Sequence, residues 1–355
     1  MNQELRAPFT WFGGKRRVAR QVWEVLGDVD LYVEAFAGSL AVLLGRPHNL
    51  RDGRGRSETV NDADGYICNF WRALKNDPDA IVPYCSDPVN ETDLFARHLW
   101  LIDHKETLIG RLEADPDFFD PKIAGWWVWG QNAWLGSGWC TASDSWVRNA
   151  EGPYELRPVK GSPGTGVSRQ RQHLGSGRGV LRTPPAGPQS PVGDTLAPDR
   201  DHLFPYFRRL AERLRDVQVC AGDWSRVVTT GATSHGDVVG VFLDPPYLKE
   251  VRYDERALYS TENYTVAHLV RDWCLENGDN PRYRIVLAGY QAEHDELMPE
   301  TWRRIHWTGS TAYSSSASAE AGSGNHANRD QEVLWFSPHC LGPKEQLSFM
   351  GGLSG

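Results

Sequence analysis

The chain alternates short, continuously apolar segments with amphipathic ones, and this rhythm constrains the fold more than any other feature. The clearest apolar segments are VVGVFL (238–243) and YRIVLAGY (283–290). Strands that are apolar along their whole length are typical of parallel sheets covered on both faces. Shorter strands are predicted at 31–36, 58–61, 217–221 and 332–338. With amphipathic helices predicted between them, as at 16–26 and 265–277, the sequence indicates an α/β fold around a mainly parallel sheet.

Two stretches depart from this rhythm. Residues 77–147 are helix-like and rich in tryptophan. Residues 157–193 carry six basic side chains, eight glycines and six prolines but no acidic residue, which predicts a long mobile loop. We therefore predict one α/β domain formed by 1–76 and 206–355, interrupted by a mostly helical insert at 77–205.

The composition limits the classes of protein to which this chain can belong. Apolar residues make up 40% of the chain and the formal net charge is −8, which excludes a wholly disordered protein. A membrane span and a secretory signal are not expected, because long apolar runs are absent from the sequence; a cytoplasmic location is expected instead. Six scattered cysteines without a C-x-x-C pair predict reduced, mostly buried thiols and no metal site.

The strongest chemical signal is Asp244-Pro245-Pro246-Tyr247, directly after the apolar strand 238–243. A buried strand that ends in a carboxylate delivers it to the edge of the sheet where ligands bind in open α/β folds. Two prolines stiffen the corner and leave carbonyl acceptors, and the tyrosine offers a π-face. This set suits a flat molecule with an exocyclic amino group, although a simple strand-ending turn is the alternative interpretation.

This motif and four others resemble those of the Dam-like, alpha-type DNA adenine-N6 methyltransferases. Within that family, the sequence is similar to the bacteriophage-encoded members. In that family, a (D/N)PP(Y/F) motif carries catalysis and S-adenosylmethionine (SAM) is the methyl donor. The resemblance runs from PFTWFGGK (8–15) to LWFSP (334–338) and is weakest between 77 and 200. It implies a Rossmann-like SAM-dependent methyltransferase fold, in which the insert at 77–205 houses target recognition.

The resemblance also implies a cofactor site. The motif at 8–15 places Trp11 and Lys15 around SAM, with the lysine near the methionyl carboxylate. EAFAGSL (34–40) is similar to the family's E-P-F-x-G-x-G turn, but Ala35 replaces the proline and Leu40 the second glycine. Asp62 matches the acidic residue for the ribose hydroxyls, with a helix cap as its alternative role. The implied cofactor-binding residues are Trp11, Lys15, Glu34, Phe36, Gly38, Asp62, Asp223 and Trp224.

For the last two of these residues, a structural alternative stays open. Asp223 could accept from the adenine amine of SAM, or it could cap a helix, and Trp224 could be a core residue. The tryptophan cluster at 126–146 has two interpretations as well. We favour a packed core for the insert, and a surface that stacks on DNA is the other.

The mechanism implied by the family needs neither a metal nor a covalent intermediate. Asp244 and the Pro245 carbonyl would bind the amine of a flipped-out adenine, which would stack on Tyr247. The expected partner is double-stranded DNA, bound by a monomer or weak dimer in a bacterium or bacterial host cell. Candidate phosphate-binding residues on the basic stretch are Arg157, Lys160, Arg169, Arg171, Arg178 and Arg182.

Other targets of the same chemistry remain open. Cytosine N4 or an RNA adenine could replace the DNA adenine, whereas a protein glutamine is disfavoured because those enzymes generally have Asn before Pro-Pro-Tyr. A catalytically lapsed DNA-binding decoy is the alternative of a different class, and only the altered turn at 38–40 supports it. The biological role, restriction–modification or another, does not follow from the residues.

Overall fold

The computed structural model describes residues 5–9, 11, 13–47, 55–134, 139–140, 146–147, 155–156, 200–246, 266–307 and 332–342. The chain divides into two compact units. The helical unit comprises Met1–Trp11, Ala63–Arg215 and Arg256–Glu262. The sheet unit comprises Phe12–Asp62, Asp216–Glu255 and Asn263–Gly355. The predicted boundaries at 76/77 and 205/206 stay predictions.

The secondary-structure elements follow the predicted alternation. The strands are β1 (Leu31–Glu34), β2 (Ser57–Asp62), β3 (Trp146–Val147), β4 (Glu155–Leu156), β5 (Val217–Ala221), β6 (Val239–Leu243), β7 (Tyr283–Tyr290), β8 (Arg303–His306) and β9 (Glu332–Phe336). The helices are α1 (Ala19–Leu26), α2 (Ala41–Leu44), α3 (Gly65–Asn76), α4 (Pro78–Cys85), α5 (Glu91–Ala114), α6 (Pro121–Ala133), α7 (Arg200–Leu214), α8 (Val266–Asn277) and α9 (Gln291–His294). Short 3-10 turns span Lys15–Arg17 and Trp224–Val227.

The sheet unit is built on one sheet with the strand order β5-β2-β1-β6-β7-β9-β8. The five strands from β5 to β7 are parallel, and β9 runs antiparallel to both β7 and β8. Every residue of β6 is buried, and so is nearly all of β7, which explains their continuous apolar sequences. The prediction of an α/β fold with a mainly parallel sheet is therefore confirmed.

The direction of strand addition changes between β1 and β6. From β1 the chain continues to β2 and β5 on one side, whereas β6 and β7 extend the sheet on the other side. Glu34 pairs with Phe242 in the register of these two neighbours, so their carboxyl ends lie side by side. Such a switch point leaves a crevice outside the strand ends, and this is where ligands bind in open α/β sheets.

The helical unit has capped helices and an aromatic core. Side chains of Asp64, Asp77, Asn90 and Asp120 accept hydrogen bonds from the first turns of α3, α4, α5 and α6, respectively. The ring centroids of Phe9 and Trp127 lie 5.0 Å apart at a steep angle. Trp127, Trp129, Trp134 and Trp139 are all buried, which confirms for these residues the packed-core interpretation of the tryptophan cluster.

The predicted elements differ from the structure in a few places. The edge strand β8 was not predicted, because its sequence RRIH is mostly charged and its residues alternate between half-buried and exposed. The first strand ends at Glu34, two residues before the predicted limit. All six cysteines are free; Cys220 is half-buried and the others are buried, as predicted. The basic stretch 157–193 lies outside the described residues.

Two helical glycines allow a matched test of this packing. A Cβ built on Gly130 in α6 would lie 1.8 Å from Trp139 Cζ2, whereas one on Gly110 in α5 meets nothing within 4 Å. Gly130→Ala should therefore lower the free energy of unfolding by about 1–3 kcal/mol, because the tryptophan must move. Gly110→Ala should raise it by roughly 0.5–1 kcal/mol through helix propensity. Urea unfolding of both variants measures the difference, and equal effects would contradict the close contact at Gly130.

Candidate active site

The turn after β1 is anchored by the buried carboxyl group of Glu34. Its Oε2 accepts hydrogen bonds from the Tyr32 hydroxyl (3.0 Å) and from the backbone N–H of Leu43 in α2 (2.9 Å). Burial raises the pKa of this carboxyl group to about 8, and the charge of Asp244 contributes to the rise. Both hydrogen bonds lie within the protein, so the position of Glu34 is explained by fixing α2 against β1; its predicted contact with a cofactor stays a prediction.

The same turn contains a leucine in a backbone conformation that favours glycine. Leu40 has φ = 53° and is fully buried at the start of α2. The left-handed conformation costs roughly 1–2 kcal/mol, whereas burying a leucine side chain contributes about 1.5–3 kcal/mol. Burial therefore outweighs the strain. The loop keeps a glycine-like path although this chain has Leu40 where the resembling family has its second glycine.

Asp62 joins this turn to the end of β2. The backbone N–H of Gly38 donates to Asp62 Oδ2 at 2.9 Å, and the N–H of Gly222 donates to the Asp62 carbonyl at 2.9 Å. Asn61 adds two bonds, from its Nδ2 to the carbonyls of Ala35 and Gly222. The ends of β1, β2 and β5 are thereby tied together. The helix-cap alternative for Asp62 is excluded, because Asp64 caps α3.

Asp223 and Trp224 follow β5 at the same edge. Asp223 is exposed and accepts hydrogen bonds from the backbone N–H (2.9 Å) and the hydroxyl of Ser225, so it caps the turn Trp224–Val227. Trp224 is buried, and its ring stacks on Phe36 with a centroid distance of 6.2 Å. The structural roles considered for both residues are thus present. Their contact with a cofactor stays a prediction.

Asp244 follows β6 and forms an ion pair with Lys15. The distance from Lys15 Nζ to Asp244 Oδ2 is 2.8 Å, and Nζ also donates to the Gly13 carbonyl at 2.8 Å. The lysine side chain is 3% exposed and the aspartate side chain 21%. Pro245, the next residue in the chain, is buried. The structure therefore brings together two residues that the sequence assigned to different tasks, catalysis and cofactor binding.

Apart from Pro246, the remaining predicted residues belong to the helical unit or lie outside the described residues, so their place in the site stays a prediction. Trp11 belongs to the helical unit, where its ring lies 6.1 Å from Phe9 and 6.3 Å from Trp127. Tyr247 lies outside the described residues. The same holds for the predicted phosphate-binding residues Arg157, Lys160, Arg169, Arg171, Arg178 and Arg182.

Sequence reasoning missed two residues beside the ion pair, Trp307 and Glu332. The Trp307 ring centroid lies 5.5 Å from Lys15 Nζ. Glu332 begins β9, and burial raises the pKa of its carboxyl group while the charge of Lys15 lowers it. A polar residue before an apolar strand signals only a strand boundary, so no motif could have found Glu332. Trp307 is one of 15 tryptophans and belongs to no recognisable pattern.

The described ranges contain neither a candidate metal site nor a candidate membrane span. No group of three or more His, Cys, Asp or Glu side chains in them is arranged to hold a metal ion. None of the helices described there combines the length and apolar character that crossing a membrane requires.

Comparison with known proteins identifies part of the chain. Residues 11–106 match the family model of the D12 class N6 adenine-specific DNA methyltransferases. The matched segment contains Lys15, the turn after β1 and Asp62, and it ends before Asp244. No curated protein matches. The family match supports methylation of adenine N6 in DNA, so the predicted activity, that of an adenine-specific DNA methyltransferase, is confirmed.

The buried carboxyl group of Glu34 should make stability depend on pH. Its pKa of about 8 lies above the ordinary value of 4.5, so between these values the folded state holds a proton that the unfolded state releases. Stability from this group is therefore complete below pH 4.5 and is lost as the pH rises through 8. Glu34→Gln keeps a neutral acceptor and should remove this loss, which is on the order of a few kcal/mol.

Chemical unfolding of Glu34→Gln and wild type across this pH range measures the effect. Exposed Glu300→Gln is the matched control for the change in charge. Buried His98 and His294 contribute the opposite slope below their ordinary pKa, because burial lowers their pKa values to about 4 and about 3. Parallel pH profiles of wild type and Glu34→Gln would contradict the assignment.

Proposed function

We propose that the chain transfers a methyl group from SAM to adenine N6 in double-stranded DNA, as a Dam-like (alpha-type) enzyme. The observation that carries this proposal is the position of Asp244. It follows a strand that is buried along its whole length, next to the switch point, and it pairs with Lys15. A carboxylate at this place supports binding of an exocyclic amine, which matches the activity of the D12 class family.

The strand order supports a Rossmann-like methyltransferase fold. Three parallel strands lie on one side of the switch point and two on the other, and a reversed strand, β9, is inserted next to β7. A nucleoside would lie over the carboxyl ends of β1, β2 and β5 in such a sheet, and the reacting group of the substrate would lie beyond β6.

The residues at these three strand ends fit SAM. When bound, SAM supplies an electrophilic methyl group. Asp62 would accept bonds from the ribose hydroxyls, and its bond to the Gly38 N–H is compatible with this role, because a carboxylate has about four acceptor sites. Phe36 and Trp224 form a stacked aromatic pair that offers an apolar face to an adenine ring. Exposed Asp223 supplies a carboxylate beside this pair.

Asp244 and Pro245 would act on the target amine. The lone pair of the adenine amine is delocalised into the ring, which makes the nitrogen a poor nucleophile. Asp244 and the Pro245 carbonyl would each accept one N–H bond and favour a tetrahedral nitrogen with a localised lone pair. Positioning and fixed charge then supply the acceleration. Because this amine is inaccessible inside a duplex, the base must be flipped out, and Tyr247 is proposed to stack on it.

Lys15 receives a different role in this proposal. Its ammonium group contacts Asp244 at 2.8 Å and is almost fully buried, which favours an orienting role at the catalytic carboxylate over a contact with the methionyl carboxylate. One Asp244 oxygen is thereby held by a fixed cation. The carboxylate loses rotational freedom before substrate binds, and this reduces the entropy that must be lost in the reactive complex.

DNA recognition is proposed for residues 77–205, including the basic stretch 157–193. The sequence argument supports it, since a stretch with six basic and no acidic residues is unexpected in a net-acidic chain. No specific observation in the described residues favours methylation of cytosine N4 or RNA, or a catalytically lapsed decoy. Transfer from tritiated SAM to unmethylated DNA, with nucleoside analysis of the product, distinguishes these alternatives.

Replacing Asp244 tests the catalytic assignment. Asp244→Ala should lower the single-turnover rate of methyl transfer by roughly a hundred- to a thousandfold, because the amine loses its charged acceptor. SAM affinity, measured by calorimetry, should remain nearly unchanged. Asp237→Ala is the matched control, since Asp237 is exposed at the opposite end of the same strand. Retained activity in Asp244→Ala would refute the assignment, and a loss that follows SAM affinity would move Asp244 to the cofactor site.

The DNA-binding proposal is tested by deleting 161–190. DNA affinity should fall, and the slope of log affinity against log salt should decrease by roughly 0.9 for each phosphate that the protein no longer neutralises. Replacing Arg169, Arg171, Arg178 and Arg182 by glutamine keeps the chain length and should give the same change. If the DNA affinity and the salt slope were unchanged in both variants, the basic stretch 157–193 would be a linker that does not bind DNA.

A further inference from the structure

The backbone of Glu332 is fixed between two neighbouring strands. Glu332 pairs with Tyr290, the last residue of β7. The backbone carbonyl of Glu332 accepts a hydrogen bond from the backbone N–H of Trp307 at 3.0 Å. Since β9 runs antiparallel to β7, the first residue of β9 lies at the edge where the parallel strands end. Along this edge, Asp244 follows β6, Tyr290 ends β7, Glu332 begins β9 and Trp307 follows β8.

Lys15 lies at this edge, between Asp244 and Trp307. Its Nζ contacts Asp244 at 2.8 Å at one end and lies 5.5 Å from the ring centroid of Trp307 at the other. Asp244 and Trp307 adjoin β6 and β8, so the ammonium group bridges the strand ends that flank β7 and β9. Glu332 begins β9, which lies between β7 and β8, so it belongs to the strand ends that this cation bridges.

The side chain of Glu332 interacts with both members of the ion pair through charge. The Lys15 charge lowers the pKa of the Glu332 carboxyl group and the Asp244 charge raises it, although burial is the largest cause of the net rise. Its Oε2 is inaccessible to solvent and has no hydrogen-bond partner in the parts of the chain that the structure describes. A buried carboxylate oxygen without such a bond lowers the stability of the fold, and a role in function would explain why it is present.

We propose that Glu332 is a positioning residue for methyl transfer, and that its carboxylate holds the Lys15 ammonium group at Asp244. The inference rests on the proposed role of Asp244. Glu332 acts through Lys15 and need not touch the substrate or SAM. Lys15 is held from three further directions, by the Gly13 carbonyl, the Asp244 carboxylate and the Trp307 ring. A second carboxylate on the Trp307 side balances the pull of Asp244 and restricts the lysine to one position.

The proposal predicts that removing the charge of Glu332 lowers the rate of methyl transfer without lowering the stability of the protein. Glu332→Gln keeps the shape of the side chain but removes its charge. The single-turnover rate should fall roughly ten- to a hundredfold, because Lys15 and Asp244 lose their fixed arrangement. SAM affinity should stay within roughly twofold, since the change acts on the orientation of groups rather than on a contact with SAM. The Tm should stay equal or rise, because the charge at a buried oxygen without a hydrogen bond is removed.

Two further variants make the comparison specific. Glu332→Asp retains the charge and should recover much of the missing rate. Glu276→Gln, an exposed glutamate on α8, removes the same charge far from any predicted contact and should match wild type. A rate unchanged in Glu332→Gln would overturn the proposal, and so would a rate loss accompanied by a lower Tm, which would indicate a structural role.

A double-mutant cycle with Lys15 tests the route of action. Tritium-based single-turnover assays measure Lys15→Met, Glu332→Gln and the double variant. If Glu332 acts through Lys15, Glu332→Gln should have little further effect once Lys15 is replaced. Additive losses would contradict the proposal. Wild type serves as the reference for the proposed function itself: absence of N6-methyladenine in its product refutes the function, whereas an active wild type with additive losses refutes only the role of Glu332.

Discussion

Burial of the central strands on both faces is the constraint on which the arrangement of the site depends. A strand covered by packing on each side cannot carry a polar side chain in its middle without a partner, so polar groups collect where strands begin or end. Asp62 ends β2, Asp244 follows β6 and Glu332 begins β9. The chemistry of the site is thus concentrated at one edge because the rest of the sheet excludes it.

Most elements of this fold could be predicted because they have a local signature. The apolar runs of β6 and β7 and the turn residues after them are readable without knowledge of the tertiary structure. Asp244 could be found because it sits between such a run and two prolines. Its ion-pair partner, Lys15, could not be predicted, because it lies more than two hundred residues earlier and contacts Asp244 only after the sheet has formed.

Other parts of the site lack a local signature for different reasons. Glu34 resembles a cofactor ligand in sequence, and its hydrogen bonds to Tyr32 and Leu43, which no motif predicts, explain its burial. The strand β8 is short, charged and at the edge, so its pattern cannot be distinguished from that of a loop. The glycine-like conformation of Leu40 depends on the pocket that buries its side chain. In each case the structural role depends on tertiary contacts that the residue type alone does not indicate.

The reversed direction of β9 has a consequence for how folding errors would affect activity. The pairing of β9 with β7 and β8 sets which residue lies at the edge and which face each side chain occupies. A slip of one residue would turn Glu332 to the opposite face of the sheet, while most of the apolar strand could still find cover. Such a molecule would remain folded but would no longer have the carboxylate beside Lys15. In the proposed mechanism, correct strand register is therefore a requirement for catalysis, and it is set by backbone hydrogen bonds that take no part in the reaction.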